Sequence, residues 1–372
     1  MTVVFGIVVA WLLMDLPRTE SELPWPDLTR DVVYEREAVD AALGRVDSPP
    51  DDHARTPGAI VVLLPLALIP ADFLTSTASI VSVISLGLIA AGTVRLRPTG
   101  YLGATAFALS LSASVSFIQA VFHGSTFVPL AACLVWMWVY LQEGRPIQAG
   151  ALLAVAGVSR LWPFLVIVVL MRRRQVRALS ATVAGAGLLT IAGVLLPGIT
   201  VGGSLDAVIE GGAGWITAEH NGSLASWLTG FGAVPAAVVG LIAALSVWYL
   251  GLRRSPNLDS DVGWTLPAAI LASPLAWLPY LLTVAPFVMP PSRSRISTLL
   301  VLAVAFVQVV GYRLVSQQVA MTASVILIGT LVWSQHLAPG QPDRTGGTSA
   351  DAGVGVVEDD RARSIGHLTG SS

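Results

Sequence analysis

The chain has 372 residues, of which 54% are hydrophobic and only 12% charged, and its mean hydropathy is +0.73. A water-soluble globule cannot hide that much apolar surface, so the composition excludes a soluble domain and points to an integral membrane protein. The formal net charge of −2 argues against nucleic acid as a partner, and there is no zinc spacing, Walker loop or strand-flanked dinucleotide fingerprint.

Unpaired backbone groups are costly in hydrocarbon, and the apolar runs are too long for barrel strands, so the spans are expected to be helical. Residues 1–16 are apolar but lack a basic leader and a small-residue cleavage site, which predicts an uncleaved first span. Residues 17–57 are polar, punctuated by proline and rich in acids, namely Asp27, Asp31, Glu35, Glu37, Asp40, Asp47, Asp51 and Asp52. The run 58–70 is short and broken by Pro65, so it is expected to be an interfacial or re-entrant helix within one large loop, 17–74. The next span, 75–92, ends at Arg95 and Arg97, and the positive-inside rule assigns that end to the cytoplasm and the acidic loop to the extracytoplasmic side.

From there residues 101–118 lead out, His123 and Gly124 lie outside, and 127–141 return to Arg145. The run 148–171 is long enough for one span, yet it ends at Arg172, Arg173, Arg174 and Arg177, so both of its ends face the cytoplasm. Arg160 and Pro163 therefore predict a turn between two short helices, since a lone arginine at mid-bilayer costs at least about 2.5 kcal/mol. Residues 179–196 lead out again, 198–226 form an outer loop, and 233–250 return to Arg253 and Arg254. The same argument predicts a second turn within 264–290, around Pro274 and Pro279. Runs 296–311 and 315–333 complete the membrane part, residues 1–335, and the polar stretch 336–372 is expected to be a disordered cytoplasmic tail. The expectation is an all-α, multi-pass protein with about 10 to 12 membrane helices. Cys133 is the only cysteine, which excludes an internal disulfide.

This layout gathers Asp27, Asp31, His123, Arg160, Glu219, His220, Asn221 and Tyr280 on the outer side. A carboxylate there can act as general base toward a sugar hydroxyl while an arginine neutralises a phosphate leaving group, and Asp31 and Arg160 suit those roles. The plainer readings are a solvated acid in an acidic loop for Asp31, and snorkelling or a structural ion pair for Arg160. The histidines have no ligand spacing, so no metal and no bound cofactor is expected.

Several segments, taken in order, resemble the bacterial polyprenyl-phosphate-mannose-dependent α-mannosyltransferases of the GT-C superfamily. They are Asp31-Val32-Val33-Tyr34 with Gly44, Thr56-Pro57-Gly58, Phe122-His123-Gly124-Ser125, Ala149-Gly150 through Gly157 to Arg160 and Pro163, Asn221-Gly222-Ser223-Leu224, and Ser273-Pro274-Leu275-Ala276-Trp277. The resemblance implies Asp31 as catalytic base, with Asp27 as its rival because the spacing departs by about one residue. It also implies Arg160 at the lipid phosphate, and Tyr34, His123, Asn221, Ser223, Trp277 and Tyr280 at the substrates. Thr56 stands where an aromatic is usual, and Pro279 and Tyr280 replace a pair of histidines, so no role for those histidines carries over. The implied activity is inverting transfer of mannose from a polyprenyl-phosphate donor to a glycolipid or lipoglycan, at the outer face of the plasma membrane and among its lipids. A lipid flippase or transporter would also use broken helices and an intramembrane charge, but no internal repeat is visible. A non-catalytic relative is the other alternative.

Overall fold

A computed structural model describes residues 30–46, 55–98, 111, 114, 116, 117, 120, 125–200, 202, 203, 206, 216, 221, 223–273, 276, 278–288 and 317–337. The expected first span, Asp27, His123, Glu219, His220, Trp277, the run 296–311 and the tail beyond 337 lie outside them, as does most of 101–118. Every regular element among the described residues is helical.

Helix α1, Arg30–Ala42, lies in the acidic loop. Helix α2, Pro57–Leu63, starts where Thr56, in extended backbone, accepts a hydrogen bond from the Ala59 amide at 3.1 Å, with Pro57 preset for the first helical position. Pro65 lacks an amide to donate, and the chain tightens into a 3-10 helix, Leu64–Leu68. The broken helix expected at 58–70 is therefore present.

Helix α3, Ala71–Leu96, runs past the expected span at both ends, and α4, Phe127–Gln142, follows. The run 148–171 divides as its two basic flanks require: α5, Pro146–Ser159, then a 3-10 turn, Trp162–Leu165, then α6, Val166–Arg172. Arg160 leaves helical geometry, with φ −148° and ψ 113°. Gly157 permits the fold-back, since a Cβ there would lie 2.2 Å from the Phe164 ring. Fourteen residues carry α5 about 21 Å, against a hydrocarbon thickness of about 30 Å.

Helices α7, Val176–Val194, and α8, Ala233–Arg254, are apolar and, like α3, long enough to cross a membrane. Their exposed side chains include Leu188, Ile191, Val238 and Ile242, and Ile80 and Ile84 do the same on α3. Such contiguous apolar surface is matched by lipid rather than water.

Helix α9, Leu258–Ala272, starts six residues before the expected run at 264. The polar stretch before Trp264 is part of the helix and not its flank. Asn257 caps the helix, accepting from the Ser260 amide at 2.9 Å, and Asp259 and Asp261 sit in a first turn that favours negative charge. Helix α9 ends at Ser273, which is in extended backbone with φ −63° and ψ 140°, and later come a 3-10 helix, Leu278–Val284, and a single α-helical turn, Ala285–Val288. Helix α10, Gln317–Leu337, completes the described part and outlasts the expected end at residue 333.

In the bundle α5 packs between α4 and α7, α7 covers α2, α3 lies on α4, and α9 lies between α8 and α10. Small residues set the closest approaches: a Cβ on Gly150 would come within 2.3 Å of the Ala178 carbonyl, and one on Gly193 within 2.1 Å of the Pro57 carbonyl. The core between α4, α5, α6 and α9 is filled by Phe127, Leu134, Trp138, Leu153, Leu170, Leu266 and Ile270. This packing brings α1, the start of α2, the start of α4 and the end of α5 together at one end. The arginine-rich ends of α3, α6 and α8 meet the start of α9 at the other.

Candidate active site

Asp31 stands in the first turn of α1, and Glu35 lies one turn later on the same helical face. Glu35 is 2% exposed, a burial a carboxylate tolerates only with partners. Arg55 supplies them as a fork, donating from Nη2 to Oε1 at 2.7 Å and from Nε to Oε2 at 2.9 Å. The Thr126 hydroxyl donates to Oε1 at 3.2 Å, from the residue that precedes α4.

Thr56 explains why Arg55 reaches this point. Besides capping α2, its hydroxyl donates to the Val158 carbonyl at 2.5 Å, which ties the segment carrying Arg55 to the end of α5. Two residues further on, Arg160 leaves the helix and brings Nη2 to 3.8 Å from Glu35 Oε1. The helix break foreseen from length and charge thus delivers a guanidinium to the acidic loop. Ser125 hydrogen-bonds Asp31, and Asp31 lies in the electrostatic field of Arg160, Glu35 and Arg55.

The two carboxylates on α1 have opposite environments. Burial pushes the Asp31 carboxyl up to about 6 from its usual 3.8, and the neighbouring Glu35 adds to that, against the pull of Arg160 and Arg55. Burial acts on Glu35 in the same direction, but the Arg55 charge and its hydrogen bonds outweigh it and hold Glu35 below the usual carboxylate range. One acid is set to exchange a proton near neutrality and the other to stay ionised, the pattern that assigns acid and base roles.

An aromatic group borders these charges. Tyr280 stacks on Phe127 with ring centroids 4.4 Å apart, and Trp162, from the turn after Arg160, lies 5.7 Å from Tyr280. Tyr280 is buried and feels the charges of Arg160, Arg55, Asp31 and Glu35. The structure therefore brings together Asp31, Arg160 and Tyr280 from the residues expected by sequence. Tyr34 is half-buried on α1 beside Glu35. Asn221 and Ser223 are wholly buried, and the Asn221 side chain accepts from the amides of Ser223 and Ala276, both at 2.9 Å. These bonds join Asn221 to Ala276 beyond the end of α9, a scaffolding contribution that the motif alone did not reveal. Asp27, His123 and Trp277 are outside the described residues.

Glu35 and Arg55 were not foreseen as site residues. Glu35 had a local signal, its four-residue spacing from Asp31 on one helical face. Arg55 had none, because its partner is 20 residues away across a loop. Among the described residues no cluster of three or more His, Cys, Asp or Glu is placed to hold a metal ion.

No curated protein and no solved structure matches the chain. The family model for Glycosyltransferase family 87 matches residues 56–274, more than half of the sequence, starting one residue after Arg55 and taking in the Arg160 break and the Asn221 loop. With its all-helical fold and its long apolar helices, the chain belongs to glycosyltransferase family 87, a GT-C-type family of membrane glycosyltransferases.

Proposed function

We propose that the protein transfers a mannosyl (hexosyl) residue, with inversion, from a polyprenyl-phosphate donor to a lipid-linked or cell-envelope glycan acceptor. The reaction takes place at the extracytoplasmic face of the plasma membrane, within a single transferase domain spanning residues 1–335. The observation that carries this reading is the Asp31 carboxyl, raised to about 6, sharing one end of the bundle with the Arg160 guanidinium. A donor delivered by the membrane needs no soluble nucleotide-binding fold, in keeping with a chain that has no dinucleotide fingerprint.

In this mechanism Asp31 takes the proton of the acceptor hydroxyl as its oxygen attacks the anomeric carbon. The bond from that carbon to the phosphate oxygen breaks, and its electron pair leaves with the phosphate. Arg160 neutralises the charge that develops on the leaving group, a contribution present mainly in the transition state. The base and the departing group act on opposite sides of the anomeric carbon, so the product has inverted configuration.

The test is transfer of radiolabelled mannose from polyprenyl-phosphate-mannose to a panel of lipid acceptors by membranes containing the full chain. Transfer by the wild type and its loss in Asp31→Asn is the expected result. Full retention in Asp31→Asn ends the assignment of the base.

A further inference from the structure

We infer that Glu35 is a positioning residue which locks Arg55 in place and leaves Arg160 as the exchangeable cation for the donor phosphate, while keeping Asp31 basic enough to take the acceptor proton. This rests on the assignment of Asp31 and Arg160 given above. It begins from an asymmetry: one buried carboxylate meets two guanidinia and treats them differently.

Arg55 is held by two short hydrogen bonds, with only 6% of its side chain exposed. Its backbone is fixed next door by Thr56, which bonds both Ala59 and Val158. Leaving Glu35 would strand a buried charge, which is strongly unfavourable. Arg160 lies 3.8 Å from the same carboxylate, an ion-pair distance beyond hydrogen bonding, and its side chain is 16% exposed. An arriving phosphate can therefore draw Arg160 away from Glu35 without uncovering the carboxylate, because Arg55 and Thr126 still satisfy it.

The charges in the cluster also balance. Asp31 and Glu35 on α1 face Arg55 before α2 and Arg160 at the end of α5, with the Ser125 and Thr126 hydroxyls before α4 and the Tyr280 phenol completing the surround among the described residues. During transfer a phosphodiester with one negative charge becomes a monoester with two, while Asp31 becomes neutral by taking up the acceptor proton. The total charge in the cluster is thus the same before and after the step. That equality needs Asp31 to prefer a proton once the phosphate has gained its second charge. Without Glu35, two guanidinia would act on Asp31 unopposed and hold it ionised as a weaker base.

The experiment uses the full chain in proteoliposomes with polyprenyl-phosphate-mannose, comparing pH profiles of kcat/KM. Glu35→Gln keeps the shape and one acceptor oxygen for Arg55. We expect kcat to fall by about 10- to 100-fold and the acidic limb to move down by about one pH unit, with no rise in donor KM. A folded Glu35→Gln protein whose acidic limb stays at the wild-type position overturns the inference, since damage to packing alone lowers turnover without moving that limb. If Glu35→Gln does not accumulate, Arg55→Lys decides. It keeps the charge but loses the fork, so Glu35 captures Arg160 and donor KM rises by about tenfold. An unchanged donor KM there overturns the inference. Asp31→Asn is run in parallel: retained transfer in it removes the underlying mechanism, whereas an inactive Asp31→Asn beside an unmoved Glu35→Gln limb removes only the role of Glu35.

Discussion

Both ends of the helix bundle set arginines beside buried or half-buried carboxylates, yet the two clusters are built differently. At the arginine-rich end Arg97 forks onto Asp259 at 2.6 and 3.1 Å, joining the end of α3 to the start of α9. Arg173 donates to the wholly buried Asp261, Arg172 lies 3.8 Å from the same carboxylate, and Arg172 also donates to the Leu252 carbonyl. These guanidinia hydrogen-bond the chain itself, and they pin α3, α6, α8 and α9 to one another. At the acidic end Arg55 does the same, but Arg160 stops at ion-pair distance and Asp31 is burdened by desolvation. The same residue types thus tie helices together where guanidinia hydrogen-bond carboxylates directly, and frame the candidate site where, among the described residues, one guanidinium stops at ion-pair distance from a carboxylate that another already holds.

The comparison breaks if the two clusters respond alike to substitution, so each variant is read for both turnover and thermal unfolding in detergent. The largest effect is expected for Asp31→Asn, a fall in kcat on the order of 10² to 10⁴, with a melting temperature no lower than that of the wild type, because it removes a poorly solvated charge. Arg173→Ala should do the reverse. It leaves Asp261 buried with only the more distant Arg172, at a cost of about 3 kcal/mol in stability, while the turnover of the molecules that remain folded is kept. A loss of turnover per folded molecule in Arg173→Ala would mean that the two ends are not separate devices.

Smaller effects sharpen the contrast. Arg160→Ala should lower kcat/KM for the donor by about 100-fold with little change in melting temperature, and unchanged donor kinetics would remove Arg160 from the phosphate. The wild-type rate should fall as pH drops through about 6, where Asp31 takes up its proton and ceases to be a base. A profile flat from pH 7 to pH 5 would point to another base. Arg95→Ala breaks the exposed pair with Glu143, 2.8 Å apart, and should change stability by less than about 1 kcal/mol.

Much of this arrangement was legible in the sequence because bilayer length and arginine placement are local properties. Arginines at both ends of 148–171 require that run to turn back, and Arg160 with Pro163 marks where it does so. The broken helix at Pro65 follows from the same kind of local reasoning. What escaped depends on tertiary contact. Glu35 looked like one more acid in an acidic loop until Arg55 and Thr126, 20 and 91 residues away, were seen to converge on it. Thr56 looked like a departure from the family pattern, and the structure gives it two hydrogen bonds that place Arg55. The start of α9 was missed because its acidic first turn, bonded to Arg97 and Arg173, has the polarity of a loop. Asn221 and Ser223 carried a motif, but their buried bonds to Ala276 and Ser226 appear only once the loop is folded.

The brevity of α5 has a consequence for the surrounding lipid. The helix is about 10 Å shorter than the hydrocarbon thickness, so with its start at one hydrocarbon boundary the guanidinium that follows would lie beneath the plane where the far headgroups ordinarily rest. On the proposed function, a lipid-borne donor would then have to lower its polar head to reach it, or the leaflet would have to pinch locally. Turnover then becomes sensitive to acyl-chain length in the host membrane, with thinner bilayers favouring the encounter.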